Sequence, residues 1–303
     1  METILIAGGT GLIGKRLSAF LEKEGYSVRH MSRHENLQAR FPAYRWDPET
    51  GFLDPKALEG VSFVINLAGA GIADKPWTEG RKRMIISSRV RSTLLLRDAL
   101  LKTSQRPKAY LSGAAIGYYG NRGEEWLTEE SGPGQGFLSE SCLEWEKAIR
   151  EVEALGIRTV AFRTGIVLSS RGGALPKLAL PLRFRLAPYF GNGRQWYSWI
   201  HIDDLCRMFS FALKNESVAG MFNAVGPEPA RNKELVEKMA AASEKKAWVF
   251  PVPGVLLRIG MGEMADTVLY SARVRAGKIM SQGFEFLHPG LAEALKDLSA
   301  AKV

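Results

Sequence analysis

Glycines with the spacing of a phosphate-binding turn occur near the start of the chain. Gly9, Gly11 and Gly14 satisfy the pattern G-x-G-x-x-G, whose missing side chains allow a tight turn, close approach of the backbone to a pyrophosphate and close helix packing. The turn follows the apolar run 4–7 and precedes a helical pattern that ends near Glu24. A helix that begins there presents free N–H groups to an anion. This position favours a dinucleotide site over an ordinary glycine turn.

The residues after the second expected strand bear on which dinucleotide is bound. NAD-binding units place an acidic residue about 20 positions beyond the glycines, where it holds the ribose 2′-hydroxyl. Ser32 and Arg33 stand there instead, and a hydroxyl with a guanidinium suits a 2′-phosphate. The sequence therefore predicts NADP as the cofactor. The alternative is that Arg33 is a solvated loop arginine and that a later residue sets the choice between NADP and NAD. The nearby Glu35 keeps this alternative open. The residues of the turn that we expect to contact the cofactor are Gly8, Thr10, Gly11, Leu12, Ile13 and Gly14.

Strand-like and helical segments alternate in a way that would place these residues at one edge of a sheet. Right-handed crossovers between such segments produce an α/β fold with a doubly wound parallel Rossmann sheet. Ligands bind beyond the carboxyl ends of the strands of such a sheet. Strands are expected at 3–7, 27–32, 63–66, 109–112 and 158–162, and helices at 14–24, 81–101 and 139–155.

The regular alternation weakens after about Thr164, where glycines and prolines interrupt the pattern. The aromatic stretch 196–200 is predicted to return to the sheet, and 221–225 to form a further strand. Asp203 is expected to cap the N-terminus of a helix that ends near Lys214. The predicted organisation is a Rossmann core at 1–170, joined again by 196–226, and a smaller, mainly helical C-terminal lobe built from 171–195 and 227–303.

Composition is that of a globular protein. The chain has 303 residues, of which 46% are hydrophobic and 24% charged, and this length allows a large core. No apolar run approaches the roughly 18 residues of a membrane span, and no leader pattern precedes the first strand. We therefore expect a protein without a membrane span that is cytoplasmic, with an organellar protein that has lost a leader as the alternative. Cys142 and Cys206 have neither metal-ligand spacing nor a disulfide framework, so no metal site is expected.

The whole chain has a net charge of +9, and its positive charge is concentrated in two stretches. Residues 75–108 contain ten Lys or Arg residues against Glu79 and Asp98, and residues 164–202 contain five basic residues and no acidic one. This pattern fits a field that favours phosphorylated ligands, or a solvated basic face. Nucleic acid is not an expected partner, because no RNA- or DNA-binding motif is recognised. The oligomeric state is not predicted.

Several motifs in the right order resemble the extended short-chain dehydrogenase/reductase superfamily. These motifs are Gly8–Gly14, Asn66-Leu67-Ala68-Gly69, Tyr118-Tyr119-Gly120 and His201-Ile202-Asp203-Asp204. Ser32-Arg33, Ser88-Arg89, Gly172-Gly173, the run 193–201 and the run 262–266 look more narrowly like its atypical branch, related to NAD-dependent epimerases and dehydratases. Members of that branch end in a small domain of unknown function, which residues 263–298 resemble. The resemblance spans nearly the whole chain.

The resemblance also implies cofactor contacts outside the glycine turn. Leu67 and Ala68, with Gly69 of the same motif, would border the adenosine side, Arg89 would reach the phosphates, and Val167 would approach the nicotinamide. A guanidinium on a helix that faces the strand ends is a suitable anion ligand. A surface arginine is the alternative for Arg89, because the helix carries many basic residues.

The acid–base residues that the superfamily usually has are missing. That chemistry needs a Ser or Thr at a strand end and a Tyr-x-x-x-Lys on the next helix, whose spacing aligns the two side chains on one face. Counting back from Tyr119 puts Ala114 or Ala115 at the hydroxyl position. Leu138 and Cys142 stand where the tyrosine and the lysine belong.

Other residues could transfer a proton in their place. Tyr118 and His201 are candidates near the expected strand ends, and an unperturbed His titrates near neutral pH. Ser112 could supply a hydroxyl; alternatively, it is an ordinary strand-end serine whose hydroxyl bonds to the backbone. His201 could instead be a structural histidine that forms hydrogen bonds with Asp203 or Asp204. Two functions therefore stay open. One is an NADP-dependent oxidoreductase or epimerase acting on a small substrate that could be nucleotide-linked, and the other is a non-catalytic NADP(H)-binding sensor or scaffold.

Overall fold

The computed structural model describes residues 1–243 and 246–300. The strands are β1 (Thr3–Ala7), β2 (Ser27–Ser32), β3 (Ala43–Asp47), β4 (Phe52–Leu53), β5 (Phe63–Asn66), β6 (Ala109–Ala115), β7 (Trp126–Leu127), β8 (Thr159–Thr164), β9 (Ile166–Leu168), β10 (Leu186–Phe190), β11 (Trp196–Tyr197), β12 (Trp199–His201), β13 (Gly220–Ala224), β14 (Ala230–Arg231), β15 (Trp248–Val252) and β16 (Arg273–Val274). The helices are α1 (Leu12–Lys23), α2 (Glu79–Lys102), α3 (Phe137–Glu153), α4 (Ala174–Ala179), α5 (Ile202–Lys214), α6 (Asn232–Ala242), α7 (Gly254–Met261), α8 (Asp266–Leu269), α9 (Gly277–Ser281) and α10 (Leu291–Ala300).

The main sheet has the strand order β13-β8-β6-β5-β1-β2-β3-β4. Its neighbouring strands are parallel except for β3 and β4. The chain passes from β1 outward in both directions through helical crossovers, which is the doubly wound arrangement. The predicted α/β fold with a parallel Rossmann sheet is therefore confirmed.

The central strand β1 is buried on both faces, which explains its uninterrupted apolar sequence. Ile4 and Ile6 point to one side of the sheet, where they pack in a cluster with Leu17 of α1. Leu5 points to the opposite side and packs in a cluster with Leu96 of α2. This two-sided packing fixes the carboxyl end of β1, and with it the start of the glycine turn, at one edge of the sheet.

The prediction that residues 196–200 return to the main sheet is wrong. Strand β11 pairs antiparallel with β14, and β12 pairs parallel with β9. The edge position beside β8 is occupied by β13, which leaves no place there for another strand. The intervening Ser198 hydroxyl donates to Ala272 O at 2.8 Å and accepts from Val274 N–H at 2.9 Å. The 196–200 stretch is thereby bound to the C-terminal segment instead.

A second hydrophobic cluster lies outside the main sheet. It joins Ala187 of β10, Leu235 and Met239 of α6, and Leu295 and Leu298 of α10. These residues come from the segments 171–195 and 227–300, to which the sequence assigns the smaller lobe. Within residues 1–243 and 246–300, no helix combines the length and the apolar character that a membrane crossing requires.

Candidate functional site

Three glycines allow the turn after β1 to pack tightly against its neighbours. Gly8 has a φ of 81°, and a Cβ there would lie 2.7 Å from the carbonyl carbon of Leu67. A Cβ on Gly9 would lie 2.6 Å from Cγ of His30, and one on Gly14 would lie 2.6 Å from Cα of Gly9. Real Cβ atoms do not approach other heavy atoms so closely. These positions need glycine because β1, β2, β5 and α1 meet there.

Gly11 differs from the other glycines of the turn because it lies at the open N-terminus of α1. A Cβ on Gly11 would meet one atom among the described residues within 4 Å, the carbonyl oxygen of Gly8 at 3.3 Å. Gly11 is the N-cap residue, no described side chain caps the helix there, and the first turn carries no acidic residue. Thr10 beside it is exposed, and Leu12 and Ile13 are half-buried. The first N–H groups of α1 are thus free for an anion.

A neutral histidine supports the turn from β2. The Ser18 hydroxyl donates to Gly14 O at 2.7 Å, so it accepts the hydrogen bond, also 2.7 Å, from Nε2 of His30. Burial lowers the pKa of His30 to about 4, so the ring is uncharged at neutral pH. Beyond it, Ser32 ends β2 and accepts the N–H of His34 at 3.2 Å. The next residue, Arg33, is exposed.

The loop after β5 lies beside the turn and is held by buried side chains. Leu67 N–H donates to Ala7 O at 2.8 Å, and Ala68 N–H donates to Oδ1 of Asn66 at 3.1 Å. The Asn66 amide nitrogen donates in turn to the hydroxyl of Tyr110 at 3.1 Å. This network places Leu67 and Ala68 directly against Gly8.

Arg89 reaches the same loop from α2. Its Nη1 donates to Ala70 O at 3.0 Å and Ile85 O at 2.9 Å, and a Cβ on Gly69 would lie 3.1 Å from its guanidinium carbon. Burial lowers the pKa of Arg89, and the charge of Arg81 lowers it further. No carboxylate of the described residues pairs with Arg89. A desolvated guanidinium without a carboxylate partner is suited to bind an anionic ligand.

Each residue of the loop from Ala70 to Ala73 has a backbone group that forms a hydrogen bond with a side chain. Ser88 accepts Ala70 N–H at 2.9 Å, Arg81 donates to Gly71 O, and Trp77 donates to Ile72 O at 2.8 Å. Lys177 of α4 donates to Ala73 O at 3.3 Å. The last of these bonds joins the loop to the segment that follows β9.

That segment also covers the start of α1. A Cβ on Gly173 would lie 3.1 Å from Cδ2 of Leu12 and 3.7 Å from Val167 O. The structure therefore brings Leu12, Val167 and the loop after β5 to the carboxyl ends of β1, β2, β5 and β9. We call this region, which contains the residues predicted for the cofactor, the cofactor edge.

A second region, which we call the catalytic edge, consists of residues 116–119 after β6 and the first turns of α3. The guanidinium carbon of Arg163 lies 3.5 Å from the ring centroid of Tyr118. Arg163 and Glu146 form a buried ion pair with bonds of 2.8 and 2.9 Å. Arg163 also donates to the Tyr119 hydroxyl, which itself donates to Oδ1 of Asn223 at 2.7 Å. Tyr118 remains half-buried beside this network.

Leu138 and Cys142 lie one helical turn apart at the catalytic edge, as their spacing predicts. A Cβ on Gly117 would lie 3.5 Å from Cβ of Leu138 and 3.4 Å from Sγ of Cys142. Burial raises the pKa of the Cys142 thiol to about 12. Neither side chain can exchange a proton near neutral pH.

Ser112 is fully buried within β6. Its hydroxyl donates to Gly113 O at 2.8 Å. This is the backbone-bonded arrangement that the sequence offers as the alternative to a catalytic serine.

His201 forms the N-cap of α5, and the prediction that Asp203 caps this helix is wrong. His201 Nδ1 accepts the N–H of Asp203 at 3.1 Å. The Asp203 carboxylate instead accepts two hydrogen bonds of 2.6 Å from Arg16 of α1. Both oxygens of the Asp203 carboxylate bind the arginine of the neighbouring helix, so neither is directed at the N-terminus of α5. His201 therefore caps this helix.

The other side of His201 faces the C-terminal lobe. Its ring lies 3.9 Å from that of His288, and its Nε2 lies 3.4 Å from Oδ2 of Asp297. Ligand atoms of these three residues lie within 4.8 Å of one another. However, because Nδ1 accepts a hydrogen bond, the neutral ring carries its proton on Nε2, whereas a metal would need the lone pair there. Burial and the neighbouring His288 lower the pKa of His201. The contacts of His201 are those of a residue that joins α5 to the C-terminal lobe.

The glycine turn at the carboxyl end of β1, within a doubly wound sheet, defines a Rossmann-fold protein of the extended short-chain dehydrogenase/reductase type. The chain belongs to the NAD dependent epimerase/dehydratase family, which matches residues 4–226. A domain of unknown function, DUF1731, matches residues 252–298.

Relatives are similar along the whole chain. Epimerase family protein YfhF of Bacillus subtilis is 35% identical over 300 residues, which cover 98% of both chains. The solved structure of human epimerase family protein SDR39U1 with NADPH is 30% identical, with a TM-score of 0.87 over 98% of this chain and 99% of that one. A nucleoside-diphosphate sugar epimerase from Corynebacterium glutamicum is 31% identical, with a TM-score of 0.80 over 99% of this chain and 58% of that one.

Sequence reasoning missed the buried pair Arg163–Glu146 and the bridging Lys177. A signal for the pair was present, because Arg163 interrupts an otherwise apolar strand and Glu146 shares a helix face with Cys142 and Ile149. A buried charge needs an opposite partner. Lys177 carried no comparable signal, since its acceptor is a backbone carbonyl remote in sequence.

Proposed function

We propose that the protein is an NADP(H)-binding oxidoreductase or epimerase-like enzyme that acts on a small substrate, which could be nucleotide-linked. The observation that carries the proposal is the cofactor edge, where, among the described residues, no side chain caps the N-terminus of α1 and no carboxylate pairs with the buried guanidinium of Arg89. The NADPH named with the human relative supports the same cofactor. We also propose a cytoplasmic location.

The residues present fit NADP. Gly11 would let a pyrophosphate approach the N–H groups of α1, and Arg89 would neutralise a phosphate. Ser32 and the exposed Arg33 stand where a ribose 2′-phosphate would be bound. When bound, the cofactor supplies hydride transfer at its nicotinamide ring.

Tyr118 is the best placed of the three candidates for proton transfer. Ser112 and His201 are 0% and 1% exposed and are engaged in local hydrogen bonds. Tyr118 is half-buried, and the Arg163 guanidinium against its ring restrains the orientation of the phenol. A hydroxyl in this position could donate to, or accept from, a substrate oxygen.

We further propose that residues 1–170, together with α5 and β13 but without the 196–200 stretch, hold the cofactor and that the smaller lobe, 171–195 with 227–303, holds the substrate. Lys177 and Gly173 of the smaller lobe contact the cofactor edge. A ligand bound there would lie between the two parts of the chain, where clefts commonly form.

Turnover by the NADPH-loaded protein tests this function. The purified protein would be offered a panel of carbonyl compounds and nucleotide sugars, with absorbance and product composition followed. Tyr118→Phe should lower kcat by about a hundredfold or more, the usual size of an acid–base contribution, without changing NADPH affinity. Tyr44→Phe is the matched control, since Tyr44 also lies under an arginine, Arg29 at 5.7 Å. Equal turnover in Tyr118→Phe and the wild type would exclude Tyr118.

The alternative function is that of a non-catalytic NADP(H)-binding sensor or scaffold. It is favoured by Leu138 and Cys142, which cannot replace a tyrosine and a lysine in acid–base chemistry. NADPH binding without turnover across the panel would support this alternative.

A further inference from the structure

Large apolar side chains are exposed beside arginines at one end of the two-stranded sheet formed by β10 and β15. The two strands are parallel and begin at Leu186 and Trp248, so the segments that precede them lie side by side. The first of these segments is a 3₁₀ helix, Leu180–Phe184, which is followed by Arg185. Trp248 N–H donates to Arg185 O at 2.8 Å, and this bond joins the two segments directly.

Three apolar side chains at this end are largely in contact with water. Phe184 is 75% exposed, Trp248 68% and Leu180 53%, whereas Leu182 of the same 3₁₀ helix is buried in the second hydrophobic cluster. An aromatic side chain has about 150–250 Å² of surface, so Phe184 and Trp248 alone leave about 300 Å² of apolar surface in water. A contiguous patch of a few hundred Å² is often functional.

The charged residues of 164–190 and 245–252 are all basic. Arg183 and Arg185 flank Phe184, Lys246 precedes Trp248 by two positions, and all three basic residues are exposed. Within the described part of the chain, no carboxylate forms an ion pair with Arg183 or Arg185. We call the six residues at this end the basic apolar patch: Leu180, Arg183, Phe184, Arg185, Lys246 and Trp248.

The backbone at Arg185 favours glycine or asparagine over arginine. Arg185 has a φ of 58°, and among the described residues it is the one residue other than glycine with a positive φ. Glycine and asparagine adopt this left-handed conformation at lower cost. The turn itself therefore does not account for an arginine, and the charged side chain beside Phe184 is the feature that needs a partner.

Helix α7, at the other end of β15, is also apolar but lacks this free charge. Val255, Leu256 and Ile259 are 69%, 58% and 78% exposed. The one arginine of α7, Arg258, is paired with Asp266 at 3.1 Å. Exposed apolar side chains next to unpaired guanidinium groups thus distinguish the basic apolar patch from α7.

The positive charge of the basic apolar patch argues against a second copy of the chain as its partner. In a two-fold contact the same surface occurs on both sides, so Arg183, Arg185 and Lys246 would face like charges. Like charges across an interface are unfavourable, and the core of a protein interface is poor in Lys. Charge complementarity instead requires an anionic partner.

An anionic lipid surface matches both the charge and the apolar side chains. Apolar groups of proteins that lie on a membrane enter the boundary of headgroups and acyl chains by about 5–10 Å, a shallow depth that Phe184 and Trp248 can reach. Lys and Arg keep their charge at headgroup level while their stems cover apolar surface. Each basic residue near the surface is attracted to anionic lipid.

We propose that the basic apolar patch docks the protein on the surface of an anionic lipid bilayer. Phe184 and Trp248 enter the interface, and Arg183, Arg185 and Lys246 bind headgroup phosphates. This inference goes beyond the proposed function and does not depend on it. It agrees with the cytoplasmic location proposed above, because the cytoplasmic leaflet carries anionic lipids.

Flotation of the full chain with lipid vesicles tests this inference. We expect binding to vesicles of mixed phosphatidylglycerol and phosphatidylcholine, none to phosphatidylcholine alone, and weaker binding as salt rises. Phe184→Ser and Trp248→Ser should each weaken binding by about tenfold, the loss of one buried apolar side chain. Leu101→Ser is the matched control, because Leu101 is 61% exposed at the end of α2. Equal binding by the two patch variants and the wild type would overturn the inference.

Charge variants test the basic side of the patch. Arg183→Gln and Arg185→Asn should each weaken vesicle binding by about fivefold, the contribution of one basic residue near anionic lipid. Arg185→Asn should also keep the free energy of unfolding in urea, since asparagine suits this backbone, and a purely structural arginine would not give that result. Arg150→Gln, exposed on α3, is the control. The same loss in Arg150→Gln as in the patch variants would overturn docking in favour of attraction by the net charge of the whole chain.

Two further measurements distinguish other occupants of the patch. A dimer in sedimentation that Trp248→Ser dissociates would overturn the inference in favour of a second copy of the chain. Binding to immobilised polyglutamate, but not to phosphatidylglycerol vesicles, that Trp248→Ser abolishes would overturn it in favour of an acidic protein.

Discussion

The cofactor edge and the catalytic edge lie beside each other on one sheet but differ in what their residues can do. At the cofactor edge, the glycines leave room for a ligand and for the strands around it, and Arg89 has no carboxylate partner among the described residues. At the catalytic edge, Leu138 and Cys142 fill the space beside Gly117 with apolar atoms. The first region therefore fits the dinucleotide that we propose, whereas the second lacks the side chains for the proton transfer that is usual in the superfamily.

The two edges also differ in how much room they leave for a different side chain. Glycines at the cofactor edge are fixed by backbone contacts, since a Cβ on Gly8 or Gly14 would overlap neighbouring main-chain atoms. A side chain at position 138 or 142 needs only to fit beside Gly117, and many apolar groups can do so. A substitution at Gly8 or Gly14 would therefore disturb the packing of the turn, whereas positions 138 and 142 can accept other apolar side chains.

The largest effect is expected at Gly14. Its Cβ would lie 2.6 Å from Gly9 Cα and overlap Gly8 O, whereas a Cβ on Gly11 would lie 3.3 Å from Gly8 O. Gly14→Ala should therefore lower the free energy of unfolding by about 3 kcal/mol or more, the cost of strong overpacking. Gly11→Ala, the matched control, should lower it by less than about 1 kcal/mol while weakening NADPH binding. Denaturant unfolding and an NADPH titration measure both effects. Equal stability of the two variants would show that the turn is not packed as described.

A smaller effect on stability with no direct effect on the cofactor is expected at Glu146. Glu146→Gln leaves the Arg163 guanidinium buried without a counter-charge, which costs about 3 kcal/mol. The expected result is a lower free energy of unfolding in urea with NADPH affinity unchanged. Glu144→Gln is the control, because Glu144 forms an exposed pair with Lys147 on the same helix. Its loss should cost less than about 1 kcal/mol. A similar cost in both variants would mean that the buried pair does not organise the catalytic edge.

Local patterns predicted the elements around the glycine turn well because each signal lies within a few residues. The apolar run, the glycines and the following helix specify β1, the turn and α1, and the expected strand 63–66 coincides with β5. Boundaries differ where the ends depend on packing. The strand expected at 109–112 continues to Ala115 because it pairs with β8 up to Thr164.

The parts that could not be predicted depend on partners distant in sequence. Residues 196–200 read as a strand of the main sheet, but β13 occupies that edge and Ser198 binds residues 272 and 274. Local sequence predicts that Asp203 caps a helix, but its carboxylate accepts hydrogen bonds from Arg16, 187 positions away. Neither competitor can be recognised from local sequence.

Selective binding of NADPH over NADH tests the central claim most directly. The affinities of both would be measured by nucleotide fluorescence for the wild type, Arg33→Glu and the control Arg150→Glu, which makes the same charge change on the exposed side of α3. Loss of a charge-assisted bond to a 2′-phosphate predicts about tenfold to a hundredfold weaker NADPH binding in Arg33→Glu, with NADH binding kept or improved. Arg150→Glu should leave the ratio unchanged. Unchanged NADPH affinity in Arg33→Glu would contradict the assignment of this edge to NADP.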